Sequence, residues 1–297
     1  NPVTGCSHVS PGCEHCYAEA ISLRFGTSKK PWTAQNAAEN VVLHPERLTQ
    51  PLKWRTPRRV FVNSMSDLFH EQIPDDFIDS VFAVMMLGKT HTYQVLTKRP
   101  ERMRDYLSRY ATLGRVADLT AKLLAGSGFR VEVSPLPMRG DGLCAPNVWL
   151  GVSVEDQRRA DERIPILLDT PAAVRFISAE PLLGPVNLCG GGYGPNWLAG
   201  WDVQPVCCKR PGPECCGEPD PEQYQTEKLD WVIVGAESGP NRRPFDLQWA
   251  RDIQAQCAAA RVAYFFKQTG ALRSESLAGV PPEMIVREYP ATTRSEG

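Results

Sequence analysis

Val174-Arg175-Phe176-Ile177-Ser178-Ala179-Glu180-Pro181 is the stretch whose reading decides the fold. A run of bulky apolar residues ends at once in Ser178, Glu180 and Pro181. Near-continuous β-branched and aromatic runs suit strands buried on both faces, as in parallel sheets. The same unit recurs on both sides of it. Arg59-Val60-Phe61-Val62-Asn63 runs into Ser64-Met65-Ser66-Asp67, and Tyr93-Gln94-Val95-Leu96 into Thr97-Lys98-Arg99. Val148-Trp149-Leu150-Gly151-Val152 runs into Ser153-Val154-Glu155-Asp156, and Trp231-Val232-Ile233-Val234-Gly235 into Ala236-Glu237-Ser238-Gly239. Val262-Ala263-Tyr264-Phe265-Phe266 runs into Lys267-Gln268.

Helical patterns separate several of these runs. Asp75 to Met86 has acidic residues in its first turn, and Pro100 to Leu107 has proline at the first helical position. Asp156 to Leu168 and Leu247 to Cys257 are two more. Alternating strands and helices mean an α/β protein. Six strands, with one more expected near the N-terminus, fit a complete or partial (β/α) TIM-like barrel. The alternative is an open doubly wound sheet, but the Gly-x-Gly-x-x-Gly phosphate loop of a dinucleotide-binding unit is absent. Residues 1–297 are read as one barrel domain with insertions at about 111–146 and 187–229. Within the first, Val116 to Leu124 has the composition of a short helix.

In such barrels the active site lies at the C-terminal ends of the strands. Polar tips alone would be ordinary loops. Charges set just past buried strands are more informative, and Asp67, Lys98, Glu155, Glu180, Glu237 and Lys267 are expected to line one cavity.

The three cysteines of Gly5-Cys6-Ser7-His8-Val9-Ser10-Pro11-Gly12-Cys13-Glu14-His15-Cys16-Tyr17 sit on a stretch with glycine and proline, which reads as a loop. A [4Fe–4S] cluster usually takes four cysteines, so a three-cysteine site leaves one iron open. A helical pattern begins at Tyr17, which puts Cys16 near a helix N-terminus, where the dipole favours thiolate. Zinc with His8 or His15 as fourth ligand, a redox pair, and a disulfide that strands Cys6 are the other readings. Four of the ten cysteines, Cys207, Cys208, Cys215 and Cys216, form two adjacent pairs in the second insertion, where a zinc site competes with free or oxidised thiols. Cys144 and Cys257 read as structural, and Cys189 is open to either role.

The chain has 297 residues and a formal charge of −1, which gives no bulk attraction to nucleic acid, so any such binding needs a local basic patch. No apolar run is long enough to span a membrane. Tight cysteine clusters suggest metal ligation over scattered crosslinks, and the expected location is cytoplasmic.

These residues together resemble the phage-associated three-Cys-motif proteins, a radical-SAM-like family. The resemblance rests on NPVTGCSHVSPGCEHCYAE, RRVFVNSMSDLFHE, YQVLTKRPERM, NVWLGVSVEDQ, VRFISAEPLLGP, DWVIVGAESGP and FFKQTG. It implies a TIM-barrel-like fold, a cluster on Cys6, Cys13 and Cys16, and S-adenosylmethionine as cofactor. The cysteine spacing departs from the usual C-x-x-x-C-x-x-C, and Asn63-Ser64-Met65-Ser66-Asp67 stands where such enzymes carry Gly-Gly-Glu. Ser64, Ser66 and Asp67 are the cofactor candidates there, the last two for the amino group, with Ser153 or Glu155 for the ribose. Asp67, Lys98, Glu180, Glu237 and Lys267 are the catalytic candidates. Lys98, Arg99, Arg242 and Arg243 are the cations expected to hold an anionic substrate, whether nucleotide, DNA or RNA. Nucleic-acid modification or DNA repair is the narrower form of this reading, and an external electron donor is implied. The competing class is a non-catalytic zinc-binding interaction protein on a barrel scaffold.

Overall fold

The computed structural model describes residues 1–127, 138–139, 142–190, 195–200, 226–271 and 276–291. Six strands form one parallel sheet: β1 (Arg59–Val62), β2 (Thr92–Thr97), β3 (Val148–Ser153), β4 (Val174–Ala179), β5 (Trp231–Gly235) and β6 (Ala263–Gln268). Each strand pairs with the next in the chain, and β1 and β6 are the two edges. A sheet wound in one direction by crossovers of one hand collects its helices on one face and leaves the other face to curl inward. The architecture is therefore a half-barrel, the partial form of the expected fold.

Helix α1 (Tyr17–Arg24) stands at the mouth of the site, and the helices on the outer side are α2 (Asp75–Leu87), α3 (Pro100–Leu107), α4 (Tyr110–Ser127), α5 (Gln157–Leu168) and α6 (Leu247–Ala260). The strand residues split cleanly by parity. Leu150, Val152, Ile177, Ala179, Val232, Val234, Tyr264 and Phe266 belong to the main core with the helices. Trp149, Val174, Phe176 and Trp231 form a second cluster with Leu96, Ile233 and Phe265. Successive side chains on a strand point to opposite faces, so this second cluster marks the inner face. Gly151 belongs to it by absence: a Cβ there would stand 2.5 Å from the Phe176 ring.

Two expectations change. The N-terminal strand is no barrel strand. Val3–Thr4 pairs antiparallel with Val42–Leu43 in a separate ribbon, and Gly5 bridges to Ser66 beyond β1. Two residues are too few to extend a six-stranded sheet, but enough to pin the cysteine loop. The helix in the first insertion is longer than its periodicity predicts, because Leu113 and Val116 bury against α2 and Arg115 pairs with Asp79 (Nε to Oδ2, 2.6 Å).

The open side of the half-barrel is spanned by the C-terminal segment. Phe266 N donates to the Val286 carbonyl (2.8 Å), Glu288 N donates to the Tyr264 carbonyl (2.9 Å), and Arg287 bridges Phe265 antiparallel. Trp231 Nε1 donates to the Glu288 carbonyl (2.9 Å). Tyr289 packs on Trp231 and Phe265, and the Arg59 guanidinium of β1 lies 3.6 Å from the Tyr289 ring centre. A cation over an aromatic face thus joins the two edges of the sheet. Among the described residues, no helix is long and apolar enough to cross a membrane.

Candidate functional site

A cavity of about 940 Å³ opens at the C-terminal ends of the strands. One wall is the cysteine loop with α1, and the others are the strand tips. Cys6, Cys13 and Cys16 all line it.

The loop is held from four sides. Gly5 N donates to the Met65 carbonyl (2.9 Å), and the φ of 86° at Gly5 lets the backbone pass where a Cβ would stand 1.8 Å from the Asn40 carbonyl oxygen. Ser66 Oγ donates to the Val3 carbonyl (3.0 Å). A single 3₁₀ turn, Pro11–Cys13, then presents Cys13, and Cys16 caps α1 in extended conformation. Gly12 sits directly on Glu155, whose Cγ would be 2.5 Å from a Cβ at that position. Ser10 Oγ donates to Glu155 Oε1 (2.6 Å). Arg243 closes the far side, with its Nη1 on Glu14 Oε2 (3.1 Å) and its Nη2 on the Pro11 carbonyl (3.0 Å).

Beneath the loop lie two buried charge nodes. Glu155 is fully buried between Lys98 Nζ and Arg163 Nη1, the latter 3.0 Å from Oε2. Burial alone would raise its carboxyl pKa, but Lys98 and Arg163 more than offset that and hold it below the usual carboxylate value. Asp67 accepts from Thr97 Oγ1 (2.7 Å), Lys98 N (3.0 Å), Phe69 N (3.0 Å) and Arg99 Nη1 (3.2 Å). Arg99 also donates to Glu71, to the Ser7 carbonyl and hydroxyl, and to the Cys6 sulfur, at 3.7 Å from Nη1. Burial, with Asp67 beside it, pushes the Cys6 thiol up to about 12, while Arg99 pulls the other way. Burial also raises the Cys16 thiol.

Five of the six strand-end charges line the cavity: Asp67, Lys98, Glu180, Glu237 and Lys267. The sixth, Glu155, lies beneath the loop and braces it. Ser64, Ser66 and Ser153 also line the cavity. On the wall away from the buried nodes, Lys267 Nζ donates to Glu180 Oε2 (2.8 Å) and Gln268 Nε2 donates to Glu180 Oε1 (3.0 Å). Glu237 accepts from Arg243 at both carboxylate oxygens, and despite burial these bonds lower its pKa.

Each of the four cations expected to hold an anion has a partner within the chain. Lys98 is paired with Glu155, Arg243 with Glu237 and Glu14, and Arg99 is buried among Asp67, Glu71 and Cys6. Arg242 donates to the Gly239 carbonyl (3.2 Å) and is not among the lining residues. A sequence shows that charges are adjacent. It does not show which carboxylates the fold brings to them. Cys144, Cys189 and Cys257 lie away from the cavity, and Cys257 is fully buried, where burial pushes its thiol up to about 12. Cys207, Cys208, Cys215 and Cys216 lie outside the described residues.

Could the loop hold a metal group? The three thiols are free, and they share one loop and one cavity. Among the described residues, no three His, Cys, Asp or Glu side chains are drawn together around one ion. Zinc takes thiolates at about 2.3 Å in a four-ligand site. His8, a candidate fourth ligand for zinc, is bonded through Nε2 to Glu19 (2.6 Å). A cluster that takes each thiolate on a different iron spreads its ligands wider, and the soft three-sulfur donor set suits it.

Two residues that sequence reading passed over complete the site. Tyr17 lines the cavity and donates its hydroxyl to the Ser64 carbonyl (2.9 Å). Asn63, at the tip of β1, lines it with a left-handed φ of 61°. A family model described as Protein of unknown function (DUF5131) matches residues 1–296. No curated protein and no solved structure matches the chain.

Proposed function

The chain belongs to the DUF5131 family, and for it we propose an iron–sulfur enzyme of the radical-SAM-like kind, akin to the phage-associated three-Cys-motif proteins. The observation that carries this reading is that three free cysteines of one loop line one cavity walled by acid–base pairs. Cys6, Cys13 and Cys16 would hold a [4Fe–4S] cluster. With S-adenosylmethionine on its open iron, such a cluster supplies one-electron cleavage of the sulfonium and hydrogen abstraction from a substrate, the electron coming from an external donor.

The chain's own part is to place and shield that chemistry. Arg99 sets a fixed positive charge against the Cys6 sulfur, which favours thiolate there and stabilises added negative charge on the group it holds. Glu155, through Ser10, and Arg243, through Pro11 and Glu14, fix the loop. Lys267 donates to Glu180 across 2.8 Å in the same cavity, where either side chain would meet a substrate as general acid or base. Ser66 keeps the loop in register, and Asp67 organises the β2 tip. Both oxygens of Asp67 are already engaged, so any cofactor amino group would add to an existing network.

The substrate proposed is anionic, of nucleotide or nucleic-acid type. Lys267, partly exposed among the lining residues, is the cation it would meet. The reading is tested by anaerobic incubation of the reconstituted protein with dithionite and S-adenosylmethionine. The expected result is release of 5′-deoxyadenosine and methionine, lost in Cys13→Ser. Protein that carries zinc alone and cleaves no S-adenosylmethionine would mark a binding module instead.

A further inference from the structure

Asn63 is only 4 % exposed, yet neither its side-chain Oδ1 nor its Nδ2 has a hydrogen-bond partner. Buried amides in native structures are almost always paired, so an orphan at the edge of a cavity calls for the group that completes it. The left-handed backbone at Asn63, which asparagine tolerates better than most residues, holds the amide there.

Two aromatic rings line the same cavity beside it. Phe61 lies two residues earlier on β1, with 43 % of its surface exposed. Tyr17, 48 % exposed, is tied by its hydroxyl to the carbonyl of Ser64, the residue after Asn63. An unpartnered donor and acceptor side by side, next to two partly exposed rings, match a planar heterocycle with an adjacent acceptor and donor on one edge. Adenine presents this pair at N7 and N6, and asparagine meets it with two bonds. Guanine offers two acceptors there and pairs better with arginine. Stacking on aromatic side chains holds any base but does not choose one.

We propose that the β1 end of the cavity, formed by Asn63, Phe61 and Tyr17, is an adenine subsite in which the Asn63 carboxamide bonds N6 and N7. The proposal deepens the enzymatic reading of the cavity and rests on it for the two sources of adenine: the nucleoside of S-adenosylmethionine, or a base of a nucleotide or nucleic-acid substrate.

The test is equilibrium binding of adenosine, inosine, 7-deazaadenosine, S-adenosylmethionine and a short oligo-deoxyadenylate to the full chain. Asn63→Gly and Asn63→Asp, both compatible with the left-handed backbone, are compared with wild type, with thermal melts to verify folding. Wild type should bind adenosine about tenfold or more tightly than inosine, which lacks the N6 donor, or 7-deazaadenosine, which lacks the N7 acceptor. The preference should vanish in Asn63→Gly. A fall in S-adenosylmethionine affinity in the variants assigns the subsite to the cofactor, and a fall confined to oligo-deoxyadenylate assigns it to the substrate. Equal wild-type binding of the three nucleosides, variants that bind every probe as wild type does, or no wild-type binding of any probe would overturn the proposal. Iron content of the same samples reports on the cluster separately. Iron-free protein with its adenine preference intact would sink the cluster reading alone.

Discussion

Toward the N-terminal ends of the strands, Trp149, Phe176, Trp231, Phe265 and Tyr289 close on one another, with Arg59 over the last ring. At the C-terminal ends, Asn63, Lys98, Glu180, Glu237 and Lys267 surround open volume, with three thiols facing them. The same six strands supply both. Their inner face is filled with rings where stability is needed and left polar and hollow where chemistry is proposed. The two ends should therefore answer mutation differently.

The largest effect on stability belongs to the filled end. Trp231→Ala removes the ring that touches Trp149, Phe176, Phe265 and Tyr289. It should lower unfolding free energy by about 3–5 kcal/mol in denaturant titration. Iron bound per folded chain should not change. A loss below about 1 kcal/mol would mean that the inner aromatic cluster does not hold the half-barrel shut.

At the hollow end, buried and open carboxylates should separate. Glu155→Ala leaves Lys98 and Arg163 without their shared partner and frees Ser10. A loss of about 3 kcal/mol is expected, because one side of a buried pair is left uncompensated. A loss no greater than that of a surface substitution would show that Glu155 does not brace the loop. The pH dependence has a fixed sign. The Glu155 carboxyl is held below its unfolded value of about 4.3. Its stabilisation is therefore complete above that value and is lost as pH falls through the lower folded value. Acid unfolding of Glu155→Gln should show a shallower slope below about pH 4 than wild type, and an identical slope would remove Glu155 from that account.

Lys267→Ala should be the mildest for stability. The lysine is partly exposed, and Glu180 keeps Gln268 as a donor, so a change of about 0–1 kcal/mol is expected. Turnover should fall steeply all the same. A variant with full turnover would place the proton transfer elsewhere.

The sequence makes the hollow end partly legible. Charges just past apolar strands mark Asp67, Lys98, Glu180, Glu237 and Lys267, because a parallel sheet buries its strands on both faces and leaves polar groups only at the tips. It cannot separate an open charge from a spent one. Lys98 and Lys267 look alike in sequence, but only the fold sets Lys98 against fully buried Glu155 and leaves Lys267 41 % exposed. Asn63 stands in a segment the sequence marks, but its left-handed backbone and missing partners are tertiary facts that no sequence pattern carries. The filled end was hidden for another reason. Both faces of these strands are apolar, so inner and outer residues read alike until the helices claim one set. The C-terminal segment that spans the gap pairs over only a few residues around Arg287, too few to show a strand pattern.

The most direct test of the hollow end's proposed chemistry is the iron and acid-labile sulfide content of anaerobically reconstituted wild type, set against Cys13→Ser and the buried control Cys257→Ser. About four irons and four sulfides per chain are expected in wild type and in Cys257→Ser, with a marked loss in Cys13→Ser. Equal iron in Cys13→Ser and wild type, or zinc in place of iron throughout, would contradict the account.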